Sequence, residues 1–279
     1  MRLLELASKQ RTDELLDYSI VVVDNDDAES AKDIVSCVKE RSPVDIAYYC
    51  EPEQNISLAR NMAIAKSTGN LLALIDDDEF PRDDWLINLY HAYKEFGADG
   101  VLGPVRPDFQ AAPPPWIIKS RLFARDSFAT GSIISDVRQM RTGNALLGKR
   151  VIDEDEAPFD RRFGKIGGED TDFFERKVAN GYVFVWCDEA IVYEAVPVER
   201  FKRVYLLKRA LLRGVSQAQR GRLGALNLGK SLIAVALYTS ALPILLMTGH
   251  HHFMKFLIKD CDHIGKLLAA CGLLVVRQR

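Results

Sequence analysis

Short apolar runs alternate with polar-faced stretches along the first half of the chain. Leu3, Leu4, Leu6, Leu15 and Leu16 surround a polar stretch and predict an opening helix. Tyr18-Ser-Ile-Val-Val-Val-Asp24 is short and β-branched and ends in an acid, which predicts a buried strand. A helix is expected over about residues 28–41, a strand from Asp45 to Cys50, and a helix from Ile56 to Lys66. Leu71-Leu-Ala-Leu-Ile75 predicts a second buried strand running into acids. From Asp83 to Phe96, Trp85, Leu86, Leu89 and Tyr93 recur at helical spacing, and Val101-Leu102 falls in a further strand. Strands this apolar, alternating with helices, predict an α/β layered fold with a mainly parallel sheet.

Beyond residue 105 the pattern loosens. Pro113-Pro114-Pro115 reads as a stiff extended loop. Thr142-Gly-Asn-Ala-Leu-Leu147 resumes strand character, and Asp153 to Gly168 is acidic and loop-like. Asp170 to Asn180 reads as a helix ending at Gly181, with strands over Tyr182–Val185 and Ala190–Tyr193. Arg200 to Lys230 carries bases and no acid, with Leu206, Leu207, Ala210 and Leu211 among them, which predicts a basic amphipathic helix and a basic turn. Ser231 to Gly249 has no charged residue over 19 positions, close to the ~20 residues that cross a bilayer. Ile264 to Val276 is apolar but short and contains Lys266, so it is read as interfacial or re-entrant.

Composition sharpens this picture in two places. Of 279 residues 48% are hydrophobic and 27% charged, which excludes a disordered chain and allows a sizeable core. The formal charge of −2 conceals an asymmetry. Residues 1–199 hold 23 bases and 37 acids, and residues 200–279 hold 14 and 2. A basic segment ahead of an apolar run suits a membrane surface on the cytoplasmic side. No nucleic-acid module surrounds it, so a nucleic-acid partner is not expected. Five scattered cysteines without a CxxC pair read as reduced thiols. The first residues have acids within the apolar stretch and no cleavage site, so no signal peptide is expected there.

In layered α/β sheets, ligands collect at the carboxyl ends of strands, and two acid groups stand at such ends. Asp76-Asp77-Asp78-Glu79 follows Leu-Ala-Leu-Ile, so at least one of its carboxylates should face the crevice. Carboxylate oxygens suit Mg²⁺ or Mn²⁺, which often bind through one or two acids and substrate phosphates. Asp24-Asn25-Asp26-Asp27 is the second group. Helix capping accounts for Asp26 or Asp27, which leaves Asp24 as the ligand candidate. Gly167-Gly168-Glu169-Asp170 joins a flexible backbone to two acids at a helix start. Either acid would serve as a base toward an acceptor hydroxyl. Arg60, beside Asn61, offers a bidentate donor for a diphosphate or a surface ion pair.

Val21-Val-Val-Asp24, Ile56-Ser-Leu-Ala-Arg-Asn61, Leu74-Ile-Asp-Asp-Asp78, Thr142-Gly-Asn144 and Gly168-Glu-Asp170 come in an order that resembles family 2 glycosyltransferases. The resemblance is to the bacterial exopolysaccharide branch, of the succinoglycan type. It covers roughly residues 1–215 and starts in the helix after the family's opening strand. It implies a GT-A fold with a mainly parallel, helix-flanked sheet over residues 1–215 and a helical membrane-associated tail over 216–279. It also implies a nucleotide-sugar donor, a divalent metal (Mg²⁺ or Mn²⁺) and inversion at the anomeric carbon. Carried over, Asp24 stands at the nucleobase, Asp76 with Asp77 at the nucleotide, and Asp78 at the metal. Asn144, Gly168 and Glu169 lie toward the acceptor, and Asp170 is the general base. Glu194 stands where relatives often carry a His. The expected partners are the donor, a lipid-linked or glycan acceptor, and the cytoplasmic face of the inner membrane. The competing reading is a membrane-associated, non-catalytic binding protein with a decayed donor site. Nucleotidyl transfer is disfavoured because no glycine-rich phosphate loop lies near the start.

Overall fold

The computed structural model describes residues 1–220 and 225–273. The chain divides into two compact units. The first holds Met1–Asp108, Arg125–Lys165 and Glu169–Ala195, and the second holds Phe109–Ala124, Ile166–Gly168 and Val196 onward.

In the first unit, α1 (Arg2–Ala7) is followed by β1 (Ile20–Asp24), α2 (Lys32–Lys39), β2 (Ile46–Cys50), α3 (Ile56–Lys66) and β3 (Leu71–Ile75). Then come β4 (Glu79–Pro81), α4 (Trp85–Phe96), β5 (Gly100–Leu102) and β6 (Val105–Phe109). After α5 (Pro115–Ser120), in the second unit, the chain returns through β7 (Asn144–Gly148), α6 (Lys149–Ile152), α7 (Glu169–Ala179), β8 (Phe184–Trp186) and β9 (Val192–Val196). The second unit continues with α8 (Arg203–Arg220), α9 (Ala225–Thr248) and α10 (His250–Ala270). The opening helix is shorter than expected. It stops at Ala7, and Asp13 and Glu14 take positive φ, which breaks any helix through Leu15.

The α/β architecture is as expected, but the ladders are more mixed than the apolar strands suggested. β1 and β2 pair in parallel, as do β5 and β8. In the order β3-β7-β5-β8, β7 runs antiparallel to both neighbours. A third sheet has the order β4-β9-β6, with β4 antiparallel to β9. Burial on both faces makes a central strand apolar whichever way it runs, so direction was not legible from composition.

Buried aromatic rings fix the elements that carry the site. Phe159 stacks on Phe173 at 4.7 Å, Phe173 meets Phe174 edge-on at 5.1 Å, and Phe174 meets Phe184 edge-on at 5.1 Å. All four are fully buried. This chain of rings joins the loop around residue 159, α7 and β8, and such pairs add roughly 0.5–1.5 kcal/mol each beyond burial.

In the second unit, Ile117, Leu206, Ala210, Met254 and Ile258 form a core shared by α5, α8 and α10. The Pro113–Pro115 stretch gives way to α5, with Pro115 in its first turn, where a missing N–H does no harm. The apolar run expected over Ser231–Gly249 is α9, and most of the Ile264–Val276 run belongs to α10. Arg222 and residues 274–276 lie outside the described residues. All five cysteines are free thiols.

Candidate active site

The N-terminus of α3 is built to hold one side chain in place. Asn55 caps the helix, its Oδ1 accepting from Ser57 N at 3.1 Å and Leu58 N at 3.3 Å. Its Nδ2 donates to the Arg161 carbonyl at 3.0 Å, and Ser57 Oγ donates to the Asp160 carbonyl at 2.9 Å. Asn61 exchanges two hydrogen bonds with the Phe159 backbone, at 2.8 and 2.9 Å. These ties clamp α3 to the loop that the aromatic rings hold against α7.

Arg60 lies between the clamps, and it gathers the acids. Its Nη1 donates to Glu169 Oε1 and to Asp170 Oδ1, both at 2.7 Å, and its Nη2 donates to Asp76 Oδ1 at 3.0 Å. The guanidinium also sits 5.5 Å from the Phe159 ring centroid. The Arg60 side chain is 11% exposed, and burial opposes its charge. Asp170, Asp76 and Glu169 outweigh that and raise its pKa. Glu169 Oε2 is buried without a hydrogen-bond partner. Thr142 Oγ1 donates to Asp170 Oδ1 at 2.7 Å, and Thr142 N approaches Asp170 Oδ2 at 3.4 Å.

The acid run at the end of β3 divides. Asp77 is exposed and Asp78 half-buried. Asp78 bears on Asp76, whose pKa is raised by burial first, with Arg60 opposing and Asp170 adding. The Asp78 carbonyl accepts from Ala195 N at 2.9 Å. Glu79 turns inward to open β4, is buried, and accepts from Asp76 N at 3.3 Å. Burial and the nearby Asp76 push its carboxyl up to about 9. Glu194 stands opposite Glu79 in the ladder and pairs with Arg125.

Gly143 lets these groups approach. A Cβ there would lie 2.8 Å from both Glu79 carboxylate oxygens and 2.9 Å from Asp76 Oδ2. Gly167 and Gly168, with φ of +80° and +101°, provide the left-handed turn that precedes α7.

Arg60, Asp76, Glu169 and Asp170 are therefore together. Two expected residues have their side chains engaged elsewhere. Asp24 is buried, and its Oδ2 accepts from Ala31 N at 2.8 Å and from Tyr48 Oη at 2.9 Å. Asn144 is 2% exposed and bonds in three directions, to Trp85 Nε1 at 2.8 Å and to the Pro104 and Ala190 carbonyls at 3.0 and 2.7 Å. Sequence reasoning passed over Asn55, and it named Glu79, Thr142 and Gly143 only within their motifs, without a role of their own. Asn55 carried a signal as a preferred cap before an apolar helix, and Glu79 one as part of the acid run. The approach of Gly143 to Glu79 and Asp76 and the bond from Thr142 to Asp170 join distant segments.

The profile of glycosyl transferase family 2 matches residues 2–155. The chain belongs to that family. It is 36% identical over 201 residues to the succinoglycan biosynthesis protein ExoM of Rhizobium meliloti (strain 1021), covering 70% of this chain and 62% of ExoM. It thus spans less than two thirds of that relative. It is 27% identical over 222 residues to glycosyltransferase AglE of Haloferax volcanii, covering 79% of this chain and 69% of AglE. Staphylococcus aureus TarS, residues 1–349 in complex with UDP, superposes with a TM-score of 0.52 at 14% identity, over 97% of this chain and 87% of that one. The fold is accordingly that of the GT-A glycosyltransferases.

Family 2 enzymes commonly use a divalent metal. Among the described residues no group of three or more His, Cys, Asp or Glu side chains is arranged to hold one. The donors at the end of β3 are nevertheless all carboxylates, and Asp78 lies close enough to Asp76 to affect its titration. Such a donor set suits Mg²⁺ or Mn²⁺ with phosphate oxygens completing the shell.

Proposed function

We propose that this chain is an inverting hexosyltransferase that moves a sugar from a UDP-sugar to a lipid-linked or glycan acceptor in exopolysaccharide assembly. The reading rests chiefly on one observation: Arg60 joins the acid at the end of β3 to the acids at the start of α7. Donor-side and acceptor-side carboxylates then face one reacting centre.

Asp170 takes the proton from the acceptor hydroxyl as that oxygen attacks the anomeric carbon. The new carbon–oxygen bond forms on the face opposite the departing phosphate oxygen, and UDP leaves with the old bond's electrons. Arg60 and Thr142 orient the Asp170 carboxylate, since both bond to its Oδ1. Asp76 and Asp77 contact the nucleotide, and Glu169, Gly168 and Asn144 shape the acceptor side, Asn144 by anchoring β7. Asp24 contributes at the nucleobase end. Asp78 would hold a divalent cation, which would neutralise diphosphate charge. The basic C-terminal segment keeps the enzyme at the cytoplasmic face of the inner membrane.

Asp170→Asn keeps the size of the side chain and an acceptor oxygen for Arg60 and Thr142 Oγ1 but removes the basic carboxylate. It is expected to lower transfer by about 10²–10⁴-fold while UDP binding, measured by calorimetry with Mn²⁺, stays within about twofold. Undiminished turnover would exclude Asp170 as the base. Absence of UDP binding by the intact folded chain would instead favour a non-catalytic role.

A further inference from the structure

The helix α9 is apolar in sequence and bare in structure. Within its Leu226–Thr248 span an 18-residue stretch has a mean hydropathy of 1.9, and 6% of that stretch is buried. At 24 residues it is about 36 Å long, so length permits either crossing a ~30 Å hydrocarbon core or lying on it.

The position of the side chains around the helix separates these possibilities. Leu226, Ile233, Leu237 and Ile244 follow one another at intervals of seven, four and seven, which places them on one stripe. They are 63–73% exposed, and Leu232, Leu246 and Met247, exposed as well, widen the stripe into a face covering roughly half the helix. Ser231 and Thr239 lie off that stripe and tie α9 to α10. Ser231 Oγ lies 3.2 Å from His263 Nδ1, and Thr239 Oγ1 donates to Asp260 Oδ2 at 2.9 Å. Between these ties, Tyr238 packs on Phe256 and His263.

The partner helix is in turn fixed to α8. A Cβ on Gly214 would meet the Asp262 carbonyl oxygen at 2.0 Å, and one on Gly265 would meet the Leu211 carbonyl oxygen at 2.2 Å, so the two backbones touch. Arg213 Nε donates to Asp262 Oδ1 at 2.7 Å, and Lys266 pairs with the same carboxylate at 3.0 Å.

If α9 crossed a bilayer with these ties intact, α10 would be drawn into hydrocarbon beside it. That helix carries Lys255, Lys259, Asp260, Asp262 and Lys266, and each ionisable group at the bilayer centre costs at least about 2.5–3.5 kcal/mol. Asp260 would add a carboxylate oxygen, Oδ1, that has no hydrogen-bond partner.

We propose that α9 docks in the plane of an anionic lipid surface, its apolar stripe at the acyl boundary and α10 as its polar backing. This rests on the membrane association read above. Charge names the occupant. Residues 200–279 hold 14 bases against 2 acids, and Arg203, Lys208, Arg209 and Arg213 on α8 and Lys255 and Lys259 on α10 are exposed. Anionic headgroups neutralise that charge, whereas a second copy of the chain would bring two like-charged segments together.

The test uses the full chain and phosphatidylcholine vesicles with and without phosphatidylglycerol. Flotation is expected with the anionic vesicles, and failure to float would overturn both the docking and the association beneath it. Leu226, Leu237 and Met247, each replaced by a labelled cysteine in a cysteine-depleted background, are expected to report equal shallow depths to brominated lipids. A deep Leu237 between shallow ends would mean crossing, which overturns the in-plane arrangement and leaves the association standing. Ile233→Glu with Leu237→Glu is expected to weaken vesicle binding at least about tenfold with an unchanged circular dichroism spectrum. Unchanged binding would overturn the proposal, as would a lipid-free dimer that these two substitutions dissociate.

Discussion

At the end of β1, Asp24 turns back on its own surroundings and holds the backbone before α2 and the Tyr48 hydroxyl. At the end of β3, Asp76 reaches Arg60 and through it the start of α7, more than ninety residues further along. Both acids follow short apolar strands. The difference lies in what packs opposite. Near β1 the neighbours are backbone N–H and a phenol, so the carboxylate is satisfied locally. Near β3 the neighbour is a guanidinium clamped from both ends of its helical turn, and one cation can bond several acids at once. A strand-end acid becomes part of a reaction centre when a second, distant charge is held rigidly against it.

Replacing Arg60 should disturb this contrast most. Arg60→Met leaves Asp76, Glu169 and Asp170 facing one another without their shared cation. Removing one partner of a largely buried pair is expected to cost about 3–5 kcal/mol in urea unfolding. A loss below about 1 kcal/mol would show that the acids do not depend on it.

The next largest effect concerns pH. Glu79 ordinarily titrates near 4.5, but in the fold its proton is held to about 9. Between those values the native state binds more protons than the unfolded chain, so stability falls as pH rises across that window and is fully present below it. Urea titrations in metal-free buffer should show this decline, and Glu79→Gln should flatten it. An unchanged slope in the variant would place the titration elsewhere.

Gly143→Ala forces a methyl group against the carboxylates of Glu79 and Asp76. A loss of about 1–3 kcal/mol is expected in thermal melting, together with reduced transfer. Asp24→Asn keeps the hydrogen-bond geometry and removes the charge, so about 1 kcal/mol should be lost. UDP binding should weaken with it, in keeping with the nucleobase role proposed for Asp24; unchanged UDP binding would leave Asp24 a purely structural acid.

Several elements were legible because their cause is local. Helix α3 and strand β3 have the limits that apolar spacing predicts. Arg60, Asp76 and Asp170 were marked by residue type at element ends. The direction of β7, the inward turn of Glu79 and the role of Gly143 were not legible. Each depends on which distant backbone lies alongside, and one sequence window holds no information on that. Asn144 shows the same limit. Its motif was visible, but its bonds to Trp85, Pro104 and Ala190 join segments 40 to 59 residues away.

The sequence by itself determined the layered α/β plan, the acids available at strand and helix ends, and the apolar, uncharged run from Ser231 to Gly249, because periodicity and charge are written residue by residue. Tertiary structure alone decided that one guanidinium would collect acids from two distant segments, and that the ties of α9 would leave one broad apolar face exposed. Both are matters of which surfaces meet, and burial makes a charge or a hydrogen bond matter only once its neighbours have arrived.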